Sequence, residues 1–132
     1  MVDRFVTDTH PFIWFAADMR RKLSRRACAA FDAYEAGRAD LYVPAPVLVE
    51  TWFLAGNGTI KLETTFGRWW RDLANPRLVC DPMPADDVLA AAELNWEHRD
   101  PFDRLIVAAA HRLGLPLVTA DTATMRSTRS RW

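Results

Sequence analysis

The chain has 132 residues, of which half are hydrophobic and six are tryptophan. This length suits a single domain over 1–132, and the apolar content is sufficient for a core without disulfide bonds. Seventeen basic residues balance seventeen acidic ones, so no overall charge attracts the chain to nucleic acid or to a membrane surface.

Three features predict a cytoplasmic protein with no membrane partner. The amino-terminal sequence MVDRFVTD lacks the apolar run of a signal peptide. The longest charge-poor stretch, 41–60, contains two prolines and two glycines, so it cannot form a spanning helix. Cys28 and Cys80 show neither a metal-binding nor a secreted spacing, and both are predicted to be reduced thiols.

The first half of the chain alternates β-rich and helical patterns. Residues 4–8 predict a short strand, and the apolar segment 9–18 predicts a helix. A second helix is expected over 22–37, where apolar residues recur at near-helical spacing and a glycine provides a stop signal. A strand over 40–44 is bounded by proline and leads into a helix over 45–58.

The second half continues the alternation. Residues 62–75 predict a helix and 77–82 a strand. The helix predicted over 84–96 opens with proline and early acids, which suit the helix dipole. A helix over 100–114 precedes a last strand over 115–121, which ends on an acid.

Four short strands thus alternate with helices, usually with two helices in each crossover. This alternation predicts an α/β fold in which a parallel sheet is covered by helices on both faces. In open parallel sheets, binding sites form just beyond the carboxyl ends of the strands. The acids near those ends are therefore the first candidates for function.

Two acids end predicted strands: Asp8 closes FVT and Asp121 closes LVTA. Each also suits a turn or a helix N-cap, which is a common use of aspartate. Asp103 lies in RDPFDRLIVAAA, at a helix start where Asp100 is the expected N-cap and Pro101 the first helical residue. Because Asp103 borders the apolar stripe of this helix, it is expected to face inward.

Glu50 is the only charged residue between 41 and 60. A buried carboxylate costs several kcal/mol unless a cation meets it. An exposed position on an amphipathic helix, or a pair with Arg4 or Arg104, would explain this residue without a functional site. The other explanation is a metal ion shared with further acids.

Four acids could share one edge of the sheet: Asp8, Glu50, Asp103 and Asp121. Crowded carboxylates repel one another and raise each other's pKa, whereas a hard divalent cation between them reverses that effect. Mg²⁺ and Mn²⁺ accept carboxylate oxygens and keep several waters. Such a site hydrolyses phosphodiesters by activating a water and neutralising charge on the phosphate.

Three segments follow one another in the order FVTDTHPFIWF, VPAPVLVE and HRDPFDRLIVAAAHRLGLPLVTAD. In these segments the chain resembles the PIN-domain nucleases, in particular the VapC ribonuclease toxins of toxin–antitoxin pairs. The resemblance extends from Phe5 to about Met125 and is most specific over 100–121. It implies a three-layer α/β/α sandwich with a mostly parallel central sheet of four to five strands. It also implies metal-dependent endoribonuclease activity.

By this resemblance, the catalytic acids and metal ligands are Asp8, Glu50, Asp103 and Asp121. The first three would hold one Mg²⁺ or Mn²⁺ ion, and Asp121 would complete the site. Thr119 matches a hydroxyl position that often forms a hydrogen bond near the metal.

The chain departs from the family pattern after its last acid. There Met125 alone matches the usual lead into a final short strand, so the tail from about residue 125 could be disordered. The histidines, at positions 10, 98 and 111, are predicted not to be ligands because hard cations prefer oxygen.

RNA binding requires positive charge, which the sequence concentrates in MRRKLSRR (19–26) and in the tail MRSTRSRW (125–132). The candidate phosphate contacts in the first run are Arg20, Arg21, Lys22 and Arg25. A solvated helix face and a loose tail are the other explanation of these runs.

Clustered aromatic residues suggest protein partners. Trp69 and Trp70 are adjacent, so one of them is expected to contact another chain unless the pair straddles a wide buried face. The family resemblance implies a homodimer and a cognate antitoxin, which would place an amphipathic segment in an apolar groove. Two other functions stay open: an RNA-processing nuclease without an antitoxin, and a catalytically silent binding module.

Overall fold

Strands and helices follow one another in the predicted order. The computed structural model describes residues 3–97 and 99–120. Its elements are β1 (Asp3–Thr7), α1 (Thr9–Ala16), α2 (Arg25–Glu35), β2 (Ala39–Pro44), α3 (Ala45–Gly56), α4 (Phe66–Asp72), β3 (Leu78–Asp81), α5 (Ala85–Glu93), α6 (Pro101–Leu113) and β4 (Leu117–Val118). The predictions for His98, Asp121 and the tail from about residue 125 lie outside the described residues.

The strands form one parallel sheet with the order β3-β2-β1-β4. Phe5 of β1 lies opposite Leu41 of β2, and Val6 lies opposite Leu117 of β4. The chain moves outward from β1 to β3 and then returns to the other side of β1. The carboxyl ends of β1 and β4 are therefore neighbours at the point where the strand order reverses, which is where such sheets form their crevice.

Helices cover the sheet and close a single core. Because such crossovers are right-handed in almost all cases, the connections from β1 to β3 place α1–α4 on one face and the return to β4 places α5 and α6 on the other. The core joins Val6, Leu41 and Val43 of the strands to Phe31 of α2 and Ile106 of α6, all of them fully buried. Among the described residues, the three-layer α/β/α fold agrees with the prediction.

Two helices, α2 and α4, begin three to four residues later than predicted, because a hydroxyl side chain caps each one at that point. Ser24 Oγ accepts a hydrogen bond from the backbone N–H of Ala27 at 3.1 Å, so α2 begins at Arg25. Thr65 Oγ1 accepts from the backbone N–H of Arg68 at 3.2 Å, so α4 has only seven residues. Both contacts are N-cap hydrogen bonds, which satisfy a donor that the first helical turn leaves unpaired.

Trp69 and Trp70 both pack inward. Their ring centroids lie 6.1 and 6.3 Å from that of the fully buried Phe12, with edge-to-face geometry. Both side chains nevertheless remain partly exposed, so the expectation that one of them contacts another chain stays a prediction. Among the described residues, the most exposed aromatic side chains are Trp52 and Phe53 of α3, at 55% and 53% exposure.

The thiols are free, as predicted, with Cys28 half-buried and Cys80 exposed. None of the described helices combines the length and the apolar character that crossing a membrane would require.

Candidate active site

Asp8 is held at the junction between β1 and α1. Its backbone N–H donates to the carbonyl of Val118 at 2.9 Å, and Oδ1 accepts from the backbone N–H of Thr9 at 2.8 Å. Oδ2 accepts from the hydroxyl of Thr119 at 2.7 Å, across 111 residues of sequence. Asp8 is only 6% exposed, so these contacts orient both carboxylate oxygens. It is at once the N-cap of α1 and an acid at a strand end.

Glu50 is half-buried on α3. Burial is the largest cause that raises the pKa of its carboxyl group, and the charges of Asp100 and Asp8 raise it further, while the Thr9 hydroxyl and His10 act in the opposite direction. The Thr9 hydroxyl is itself buried and makes no hydrogen bond of ordinary geometry to a described residue. We take it to lie near the Glu50 carboxylate without forming a full hydrogen bond.

Asp100 is the N-cap of α6, as the sequence predicts. Its Oδ1 accepts from the backbone N–H groups of Phe102 at 2.9 Å and Asp103 at 3.3 Å, and Pro101 occupies the first helical position. Asp103 follows in the first turn and is half-buried, one turn before the fully buried Ile106. The cap therefore determines where α6 begins and, with it, the position of Asp103.

Four acids line one cavity, which we call the site cavity and which encloses about 460 Å³. They are Asp8, Glu50, Asp100 and Asp103. Three of the four predicted catalytic acids are thus brought together, from the junction after β1, from α3 and from α6. The fourth, Asp121, lies outside the described residues, but the segment that precedes it reaches the same place through Ala120.

The donors in the site cavity fit a hard divalent cation in their chemistry. They are carboxylate oxygens, and the charges of Asp100 and Asp8 add to burial in raising the pKa of Glu50, which is the repulsion that such an ion relieves. Within 3–97 and 99–120, however, no three His, Cys, Asp or Glu side chains already stand close enough together to hold a metal ion. The described acids share the cavity without being drawn together into a finished ligand cluster.

Within the described part of the chain, neither arginine proposed from the sequence forms an ion pair with Glu50. Arg104, one proposed partner, donates to three backbone carbonyls at the end of α5 and in the loop after it, at 2.8–3.0 Å. Arg4, the other, lies at the start of β1, at the opposite end of that strand from Asp8. Among the described side chains, His10 is the basic group that lowers the pKa of the Glu50 carboxyl group.

The four basic residues predicted to contact phosphate differ in their surroundings. Arg20 forms surface ion pairs with Asp32 and Glu35 of α2, and its role as an RNA contact stays a prediction. Lys22 instead lies over the Trp14 ring, 5.8 Å from its centroid. The side chains of Arg21 and Arg25 are exposed, and their role as RNA contacts stays a prediction.

Sequence reasoning missed the wall of the site cavity that faces the acids. His10, Pro11 and Trp14 of α1 line it, and the rings of His10 and Trp14 lie 6.0 Å apart. The two residues are four positions apart on one helix, which places them on the same face directly after Asp8. The four-residue spacing of His10 and Trp14 after Asp8 was the sequence signal that could have predicted this wall.

The chain belongs to the PIN domain family, whose model matches residues 5–129. This confirms the family predicted from the sequence and, together with the parallel sheet, the predicted fold. A search of curated proteins found no match.

Solved structures with the same fold include toxin–antitoxin proteins. VapBC2 from Rickettsia felis, bound to a DNA fragment from its promoter, is 16% identical with a TM-score of 0.68 and covers 96% of this chain and 95% of that one. VapC20 from Mycobacterium tuberculosis, a toxin that cleaves the sarcin–ricin loop, is 16% identical with a TM-score of 0.64 and covers 93% and 94%. FitAB bound to the IR36 DNA fragment is 16% identical with a TM-score of 0.62 and covers 96% and 91%.

Proposed function

We propose that this protein is a divalent-metal-dependent endoribonuclease that acts as the toxin of a toxin–antitoxin pair. The observation that carries the proposal is the site cavity, where carboxylates from three separate parts of a PIN fold meet beside the ends of β1 and β4. Carboxylates gathered in one cavity repel a phosphodiester unless a metal ion bound among them offsets their charge.

Asp8, Glu50 and Asp103 would hold Mg²⁺ or Mn²⁺, and Asp121 would complete the ligand set. When bound, the ion supplies a water of lowered pKa and neutralises charge on the phosphate. No protein nucleophile is required for hydrolysis of this kind.

The protein's own groups orient the acids in advance. The backbone N–H of Thr9 and the hydroxyl of Thr119 each hold one oxygen of Asp8, so that carboxylate has a defined direction. The cap that Asp100 forms at the start of α6 positions Asp103. Such preorganisation lets ligands accept a cation without first giving up rotational freedom.

The neighbouring structures support a toxin with an antitoxin. VapC20 cleaves an RNA loop, while VapBC2 and FitAB are bound to DNA. A homodimer is part of the proposal, and the exposed Trp52 and Phe53 of α3 offer apolar surface for it. Two free thiols suit action in the reducing cytoplasm.

An RNA-processing nuclease without an antitoxin would use the same site and is the second candidate. Growth separates the two, because a toxin arrests its host when expressed alone and a short protein encoded beside it restores growth. A catalytically silent binding module would neither cleave RNA nor arrest growth.

Asp8→Asn tests the site. Asparagine caps helices about as well as aspartate, so the variant should keep its fold while losing the ligand charge. We expect purified wild-type protein to cleave structured RNAs in Mg²⁺ or Mn²⁺ and not in chelator, and the variant to lose cleavage in all conditions. Asp72→Asn, at an exposed position of α4, is the matched control and should cleave like the wild type. Cleavage retained by Asp8→Asn would refute the assignment.

A further inference from the structure

A second cavity borders the site cavity and shares one wall with it. This side groove encloses about 450 Å³. Its lining includes Ile13, Trp14, Lys22, Leu54, Lys61 and Trp69. His10 and Trp14 of α1 line both cavities, so the indole of Trp14 separates the acids on one side from two lysines on the other.

The surroundings of Trp14 suit a flat ligand with a negative charge beside it. The side chain is half-buried, with the His10 ring 6.0 Å away and the Lys22 ammonium 5.8 Å from its centroid. Because the Lys22 ammonium lies over the ring, an unpaired base that stacks on this face of Trp14 takes its place, and the ammonium then meets the adjoining phosphate. Because every base has a flat face, such a wall binds single-stranded RNA without requiring one sequence.

The position of the acids sets the path of a bound strand. A scissile phosphate has to lie at Asp8, Glu50 and Asp103, whose negative charge repels the phosphates on either side of it. The cationic side chains that border the site cavity through the shared wall are Lys22 and Lys61 of the side groove. A strand that leaves the acids in that direction passes Trp14.

We propose that Trp14 is the stacking platform for the base of a nucleotide next to the scissile phosphate, and that Lys22 contacts the phosphate on that side. This inference rests on the proposed ribonuclease function and adds a substrate-positioning residue to it. Apolar residues of the side groove, such as Leu54, could instead bind a segment of a partner protein. Measurements of RNA binding and of partner binding distinguish the two occupants.

The test measures binding to an abasic RNA series in the Asp8→Asn background, where the RNA is not cleaved. A short single-stranded RNA spanning the mapped cleavage site is compared with versions that lack one base at a time. Because a stacked base contributes about 1–3 kcal/mol, removing the base that meets Trp14 should weaken binding roughly 10-fold. Trp14→Leu should weaken binding of the intact RNA by a similar factor and make it insensitive to that missing base.

Two further variants distinguish stacking from a general structural role. Trp14→Phe keeps an aromatic face, so it should retain most of the binding and the sensitivity to the missing base. Leu89→Ala removes an exposed apolar side chain of α5 that lines neither cavity and should leave RNA binding unchanged. If Trp14→Leu fails to fold, the abasic series with Trp14→Phe and the wild-type residue still identifies a stacked position.

Three results would overturn the inference. Additive losses from Trp14→Leu and every abasic position would show that the ring touches no base. A Trp14→Leu variant that binds RNA normally but loses a co-expressed partner protein would assign the wall to that partner. In both cases wild-type cleavage of RNA would leave the proposed function standing, whereas a protein that neither binds nor cleaves RNA would refute the function and the platform together.

Discussion

Thr119→Val removes one hydroxyl and leaves the shape of the side chain almost unchanged. Thr119 is 4% exposed, and its hydroxyl donates at 2.7 Å to Oδ2 of Asp8, a residue that is 6% exposed. A hydrogen bond to a charged group contributes about 1.5–3 kcal/mol to stability, and the loss is largest when the acceptor stays buried. We therefore expect the free energy of unfolding to fall by about 2 kcal/mol.

Thr51→Val is the matched control. Thr51 is fully buried and its hydroxyl donates at 2.7 Å, but the acceptor is the neutral carbonyl of Val47 one helical turn earlier. That kind of contact contributes little to helix stability, so the same change should cost no more than about 1 kcal/mol. The difference between the two variants isolates the charge of the acceptor.

Thermal unfolding in chelator, followed by circular dichroism, measures both variants. For a chain of this size, about 2 kcal/mol corresponds to a lower midpoint by roughly 6–10 °C. Thr119→Ser keeps the donor and should recover most of the loss. RNA cleavage should fall in Thr119→Val and not in Thr51→Val, because only Thr119 orients a proposed ligand. A midpoint for Thr119→Val no lower than that for Thr51→Val would refute the view that Thr119 orients a buried charge.

Two further substitutions examine buried acids. In chelator, Glu50→Gln should raise the free energy of unfolding near neutral pH, because burial and neighbouring aspartates raise the pKa of this carboxyl group. A carboxylate whose pKa is raised by folding destabilises the native state above that raised pKa and has no such effect below its ordinary value of 4.5. The extra stability of Glu50→Gln should therefore fade as the pH is lowered from the raised pKa to below 4.5. A clear loss of stability in this variant at neutral pH would instead indicate an ion pair. Arg112→Met should lower the free energy of unfolding in urea by about 3 kcal/mol, because the guanidinium pairs with the buried Asp81 and Asp87. Breaking a buried pair costs about 3–5 kcal/mol, and the lower end applies because the Arg112 side chain is 34% exposed. Arg68→Met breaks an exposed pair within α4 and should cost under about 0.5 kcal/mol, so equal losses in the two arginine variants would contradict this account.

The order of the elements and the placement of the first acids follow from local sequence. Alternating apolar runs predict the parallel strands, because a strand buried on both faces must be apolar along its length. Asp100 and Pro101 predict the start of α6 through the preferences of the cap and first helical positions, which are local properties. Asp8 could be placed at a sheet edge because strand ends in a parallel sheet share one side.

Only the tertiary structure decided which distant side chains meet. Arg20 belongs to a basic run that suggests RNA binding, but it pairs with Asp32 and Glu35 of α2, 12 and 15 residues away. Trp69 and Trp70 both reach Phe12, although their adjacency predicts divergence. Charge and aromaticity are visible in the sequence, whereas the partner of each group depends on how the helices pack.

The site shows the same division. From the sequence alone, Asp8, Glu50 and Asp103 could be chosen as candidate site acids. Glu50 was the clearest of them, because an isolated carboxylate in an apolar segment needs a compensating interaction wherever it lies. It did not identify the opposite wall formed by His10 and Trp14, or the cavity they share with the acids. Local patterns report what one element requires, whereas a cavity exists only between elements, and its shape depends on contacts such as Thr119 to Asp8 across 111 residues.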